Sequence, residues 1–254
     1  LRVITVSVIT ACYNAATTLP DTLTSIHSQT HPAVESVVID GNSVDGTVEV
    51  IRALHGGRGP WISEPDAGIY DALNKGIRRS SGDVVGFLHA DDTLAHPRVL
   101  ADIAACFEDP EVEACYGDLV YVRREDPETV VRYWRSQPFK PDRLRRGWMP
   151  PHPTLYMRRS LYDRHGGFDT RYRIAADYDN MLRLLTRVDG RVVYLPEVLV
   201  RMRLGGASNR SLHNIWRKSV EDYQALRVNH VGGWQALAIK NLSKLPQFIR
   251  RGKA

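Results

Sequence analysis

Carboxylates placed where apolar runs end are the residues of this chain best suited to chemistry. The run Ser81-Gly82-Asp83-Val84-Val85-Gly86-Phe87-Leu88 has the length and composition of a strand buried on both faces, and it stops at His89-Ala90-Asp91-Asp92. Neighbouring aspartates repel, and a protein tolerates that most easily where a cation joins them to an anionic ligand. The competing reading is that Asp91 or Asp92 caps a helix starting near His96-Pro97. Asp40 closes a second apolar run, Ser36-Val37-Val38-Ile39; it could accept hydrogen bonds from a base or a ribose, or simply fold an Asx-turn. Asp177 opens a helical pattern and could take a proton from a substrate or serve as an N-cap. Asp66 and Asp71 flank another helix start and would bring further carboxylates to the same pocket. His152 is held stiffly by Pro150, Pro151 and Pro153.

These residues need a scaffold, and the chain supplies strand, polar loop and helix in repetition. Val3 to Thr10 reads as a first strand, followed by a helix from Thr18 with Leu19, Leu23 and Ile26 on one face. A second helix is expected to bury Val48, Ile51 and Leu54, and a third, from Ile69 to Ile77, to bury Ile69, Leu73 and Ile77. Residues 119–134 alternate like a hairpin, Pro138 to Pro153 reads as a long loop, and Arg191 to Val200 as a late strand. Repeated strand–helix units call for a mostly parallel, Rossmann-like α/β sheet flanked by helices. Ligands then gather outside the carboxyl ends of the strands, where the aspartates lie. Two helical segments after residue 211 form a C-terminal appendage.

Composition narrows the function classes. The chain has 254 residues, 43% hydrophobic and 25% charged, enough for one large domain with a true core. A net charge of +5 suits anionic substrates or an anionic membrane surface; no nucleic-acid module is recognisable, so nucleic acid is not an expected partner. Three cysteines without metal-site spacing fit a reducing, cytoplasmic setting. No stretch approaches the roughly 18 apolar residues of a membrane span, and no signal peptide opens the chain. The dinucleotide Gly-x-Gly-x-x-Gly turn and the phosphate loop ending Gly-Lys-Ser/Thr are both missing. Between Trp234 and Lys253, Leu237, Leu242, Leu245 and Ile249 recur among cations with no acidic residue. That pattern predicts a peripheral contact with the inner face of the plasma membrane; the rival is packing on the domain.

Taken in order, Thr10-Ala11-Cys12-Tyr13-Asn14, Asp40-Gly41-Asn42-Ser43-Val44-Asp45-Gly46-Thr47, the run from Ser63 to Gly76, Gly82-Asp83 through Asp91-Asp92, and Ala176-Asp177-Tyr178-Asp179 resemble the family 2 glycosyltransferases. The likeness covers roughly residues 3–205 and is strongest to bacterial enzymes of polysaccharide and glycolipid synthesis. It implies a GT-A fold over residues 1–205 with a helical extension over 206–254, and transfer of one sugar with inversion. The donor would be an NDP-sugar and the acceptor a glycan or lipid-linked hydroxyl. It implies a donor site drawn from Thr10, Ala11, Tyr13, Asn14, Asp40, Ser43, Asp66, Gly68, Asp71, Asn74, Lys75, His89 and Ala90. Asp91 would hold a divalent metal (Mn2+ or Mg2+), and Asp177 would be the base. Asp92, His152 and Asp179 stand between the acceptor side and no assigned role. Two departures from the family pattern are visible: His89 replaces the first aspartate of the Asp-x-Asp motif, and Arg203-Leu204-Gly205-Gly206-Ala207-Ser208 stands where a later metal-ligating histidine is common. The rivals are a degenerate, non-catalytic donor-binding module and a sugar-nucleotide pyrophosphorylase; the latter would need a Gly-rich loop after the first strand.

Overall fold

A computed structural model describes residues 2–205 and 212–242. Seven consecutive β-branched, small or apolar residues form β1 (Val6–Cys12), buried throughout. The polar turn after it leads to α1 (Leu19–His27), which starts on Pro20 and buries Leu19, Thr22, Leu23 and Ile26. Then come β2 (Val34–Asp40), α2 (Thr47–Leu54), β3 (Trp61–Ser63), α3 (Ile69–Arg79) and β4 (Val84–Phe87). These four strands run parallel in the order β3-β2-β1-β4, as repeated strand–helix units demand. Alternate side chains feed two layers. Ile9, Ala11, Ile39, Val85 and Phe87 face α3, whereas Val6, Val8 and Val84 face the other way.

The second half is mixed. After β5 (Thr93–Leu94) and α4 (Val99–Cys106) comes the long strand β6 (Val112–Val122), then β7 (Val130–Trp134), α5 (Pro141–Leu144), a 3-10 turn (His152–Thr154), β8 (Tyr156–Arg158), α6 (Arg159–His165), α7 (Ala176–Leu185) and β9 (Arg191–Arg203). Strand β8 runs antiparallel between β4 and β6, and β9 runs parallel to β6. Strand β7 pairs antiparallel with the carboxyl half of β6, so the expected hairpin is present. The described residues end with α8 (Leu212–Val228) and α9 (Trp234–Leu242).

Some expectations shift. The first strand begins at Val6, because Val3 is already exposed outside the sheet. Leu54 and Ile69 are exposed although their spacing predicted core; each is the terminal residue of its helix, where the neighbouring layer no longer covers it. The described part of the C-terminal basic segment packs inward. Ala236 is buried and Leu237 lies against the core. Lys240 is buried, with Nζ 2.7 Å from the Asp222 carboxylate and 3.2 Å from the centre of the Tyr178 ring. Leu245 and Ile249 lie outside the described residues, and so does the stretch Gly206 to Ser208. No helix among the described residues is long and apolar enough to cross a membrane.

Candidate active site

The carboxyl ends of β1, β2, β3 and β4 meet the amino end of α7 and the 3-10 turn. Two clusters result, one under β1 and β2 and one beyond β4.

Asp40, 0% exposed, accepts from the Ser43 backbone N–H at 3.0 Å, from the Ser63 hydroxyl at 2.6 Å and from the Ser43 hydroxyl. Its carboxylate therefore holds the 40–43 loop to the end of β3. Asn14 reinforces the loop: its N–H donates to Ser43 Oγ at 2.8 Å and its Oδ1 accepts from Val44 N–H at 3.0 Å. Gly41 is required by proximity, since a Cβ there would lie 2.7 Å from Asp66 Oδ2 and 3.3 Å from the Tyr13 ring. Above it the Tyr13 ring is 65% exposed, an open aromatic face at the strand end. Thr10 is buried with its hydroxyl unpartnered, and Ala11 and Ala90 are packed into the core.

The segment before α3 is wound by its own carboxylates. Asp66 accepts from Gly68 N–H at 2.9 Å and Asp71 from Ala67 N–H at 3.1 Å. Gly68 sits at φ +117°, which only glycine adopts readily. Lys75 reaches back to the Pro65 carbonyl at 2.8 Å and the Glu64 carboxylate at 3.0 Å. Asn74 turns away to clasp Phe168, donating to its carbonyl at 2.8 Å and accepting its N–H at 2.7 Å.

The second cluster holds His89, Asp91, His152 and Asp177. Burial pushes the His89 imidazole down, against the pull of Asp91 and Asp177, so the ring is neutral with a lone pair to give. His152 is pushed down to about 4, chiefly by burial. Its ring stacks on Phe87 with centroids 5.5 Å apart, meets Phe168 edge-on at 5.8 Å and faces His89 at 6.3 Å. Asp177 is not the N-cap: Ala175 occupies that position, and Asp177 lies in the first turn, accepting from Tyr178 N–H at 2.8 Å. Tyr70 reaches it with its hydroxyl at 3.5 Å while donating to the Ile174 carbonyl at 2.7 Å. Burial, then the Asp177 charge, pushes the Tyr70 phenol up, so it stays a donor.

The two adjacent aspartates have separate fates. Asp92 is buried; its Oδ1 accepts Arg203 N–H at 3.1 Å, and Thr22 donates to its backbone carbonyl at 2.8 Å. Burial and the neighbouring Asp91 push it well above the ordinary carboxylate range, against the pull of the Arg203 N–H and charge. Asp91 is half-buried and accepts no hydrogen bond among the described residues. An uncommitted carboxylate beside a neutral imidazole is a mixed O/N donor set that fits a divalent cation such as Mn2+. His96, Asp102 and Glu197 also bring three ligand atoms within 4.8 Å of one another, but Asp102 is already bound by Arg98 at 3.1 Å. Asp179 faces elsewhere, accepting from Asn229 at 2.8 Å and so joining α7 to α8.

Sequence reasoning passed over three residues that shape the site. Ser63 anchors Asp40, Tyr70 reaches Asp177, and Glu221 accepts the N–H groups of Ile174 and Ala175 at 2.8 and 3.0 Å, fixing the start of α7. Ser63 and Tyr70 stand inside a motif that drew notice for other residues. Glu221 carries no local signal, because its partners lie 46 and 47 residues away.

Residues 7–166 match glycosyl transferase family 2. An uncharacterised glycosyltransferase of Mycobacterium tuberculosis is 33% identical over 188 residues, covering 70% of this chain and 68% of the relative. A PGL/p-HBAD biosynthesis glycosyltransferase of Mycobacterium bovis is 31% identical over 208 residues, covering 80% and 78%. Among solved structures, residues 1–349 of S. aureus TarS in complex with UDP-GlcNAc superpose with a TM-score of 0.69 at 18% identity, covering 98% of this chain and 72% of that one. Against a longer TarS chain, this protein spans 39% of the length. A Pyrobaculum calidifontis mannosyltransferase in complex with GDP-Man and Mn2+ gives a TM-score of 0.65 at 22% identity, covering 97% and 73%. These structures share the GT-A fold. The chain belongs to glycosyl transferase family 2 and is a glycosyltransferase.

Proposed function

We propose that this glycosyltransferase moves one sugar from an NDP-sugar to a hydroxyl of a glycan or lipid-linked acceptor, with inversion and with a divalent metal, Mn2+ or Mg2+. The observation that carries the reading is the placing of two differently engaged carboxylates, Asp91 in the loop after β4 and Asp177 in the first turn of α7, both acting electrostatically on one half-buried imidazole, His89. Two such carboxylates on one pocket suit a direct displacement. Asp177 accepts the proton of the acceptor hydroxyl as its oxygen bonds to the anomeric carbon. The bond from that carbon to the diphosphate oxygen breaks, its electron pair leaves with the nucleoside diphosphate, and the configuration inverts. A divalent cation held by Asp91 and His89 would neutralise charge growing on the diphosphate. Tyr70 and the Glu221-anchored turn hold the Asp177 carboxylate in place. The exposed Tyr13 ring offers a stacking face for the base, above the loop that Asp40 secures. Domain limits of 1–205 for this machinery and 206–254 for the extension remain part of the proposal.

The setting proposed is the cytoplasm, with peripheral contact at the inner membrane face. Trp216 on α8 and Trp234 on α9 support it: they are 67% and 69% exposed, and amphipathic aromatic rings suit a lipid interface. The activity test is transfer or slow hydrolysis of UDP-, GDP- and dTDP-sugars with Mn2+, run beside Asp177→Asn. The variant keeps donor affinity and loses transfer by about 10²-fold or more. Transfer at the wild-type rate would remove Asp177 from the chemistry; a wild-type chain inert to all donors would favour a donor-binding module.

A further inference from the structure

We propose that His152 contacts the transferred sugar and reads one of its hydroxyls through Nε2; this rests on the nucleotide-sugar reading above. The imidazole is 6% exposed, and its Nε2 is wholly buried without a hydrogen-bond partner among the described residues. A buried nitrogen left so carries a penalty that a folded protein keeps where a ligand atom completes the bond. The protein around it offers little choice. One face lies on Phe87 and one edge on Phe168, neither of which can accept or donate.

The ring is also held with unusual firmness. Pro150, Pro151 and Pro153 surround it in sequence and are all buried. Thr154 pins the turn to β6, its hydroxyl lying 3.0 Å from the Gly117 carbonyl and 2.9 Å from that of Pro151. A rigid, apolar-walled polar atom is how a site discriminates one hydroxyl from its absence.

Position decides which substrate it meets. His152 faces His89, beside the proposed diphosphate end, and lies within the electrostatic reach of Asp177 at the nucleophile end. In a direct displacement the nucleophile, the anomeric carbon and the leaving oxygen are in line, so the ring being transferred spans those two ends. A side chain in reach of both ends is placed to meet that ring rather than the base or the far part of the acceptor.

The test compares binding of UDP with UDP-GlcNAc, GDP with GDP-mannose and dTDP with dTDP-glucose, by calorimetry on the full chain with Mn2+. His152→Phe keeps the ring stacking and deletes the nitrogen. For the pair that wild type binds, nucleoside diphosphate affinity stays within about twofold while sugar-nucleotide affinity falls about tenfold, the worth of one hydrogen bond. His152→Gln, which keeps a donor near the same place, recovers part of the loss and serves alone if the phenylalanine variant does not fold. Two variants with the wild-type ratio of affinities overturn the inference, as does an equal loss for both ligands, which marks a purely structural residue. A wild-type chain that binds none of the six ligands sinks the nucleotide-sugar reading and this inference together. Binding with an unchanged ratio sinks this inference alone.

Discussion

Replacing Asp91 by alanine is expected to abolish the part of nucleoside diphosphate affinity that depends on Mn2+ and to leave the metal-free part intact. Titrating UDP, GDP and dTDP with and without Mn2+ checks it, and an unchanged metal increment would take Asp91 out of the site. The prediction rests on contrast with its neighbour: Asp92 is buried and bonded to Arg203, whereas Asp91 is half-buried and uncommitted among the described residues. Residue patterns foresaw that an acidic pair ends β4, yet both members read alike in sequence, because what separates them is a backbone N–H on β9, 111 residues away. Asp177 shows the same limit. Its place at a helix start suits a cap as well as a base, and the two-residue offset that makes Ala175 the cap is set by Glu221 from α8. Asp40 was legible as both an Asx-turn and a ligand carboxylate; its carboxylate accepts from the N–H of Ser43, three residues on, one residue further than an Asx-turn closes.

At the scale of elements, α7 is held at its amino end by a side chain from another helix. Burial alone would raise the Glu221 carboxyl, but the N–H groups of Ile174 and Ala175, with Arg217, outweigh it and hold it below its ordinary value of 4.5. A carboxylate so depressed contributes stability that is present above that ordinary value and fades as pH falls through the lower, folded one. Glu221→Gln is expected to cost roughly 1–3 kcal/mol of unfolding free energy at neutral pH and to flatten the acid limb of the melting curve. Because the start of α7 carries Asp177, the variant should lose more transfer rate than donor affinity. Thermal unfolding between pH 7 and pH 4, with steady-state kinetics, tests both parts; a variant as stable as wild type with equal kcat removes the anchor. The parallel strands were readable because each is an apolar run closed by a polar loop. Strand β5 was not, since two residues carry no period, and their pairing with Arg201 and Val200 is fixed only once β9 is in place.

For the whole molecule, the open question is what meets the exposed aromatics of the last two helices. If Trp216 and Trp234 dip into lipid, full-length protein floats with vesicles containing anionic lipid at low salt, and Trp216→Ala with Trp234→Ala reduces the floating fraction severalfold. Full-length protein left at the bottom of the gradient would defeat the idea. The described part of the amphipathic basic segment turns inward: Leu237 and Lys240 face the core, because Asp222 and the Tyr178 ring supply an internal partner for the cation.

That buried ammonium also sets an order of assembly. Tyr178 follows Asp177 in the chain, and its cover is completed by Lys240, about 60 residues later. While the ribosome is still at work, β1 to β4 can pair and shield their own faces, whereas α7 waits with a bare aromatic ring and α8 with the unpaired Asp222. A chain stopped short of α9 would carry every residue named in the chemistry and still lack the ion that closes the catalytic helix. The cover of the catalytic helix is therefore complete only once α9 has joined it.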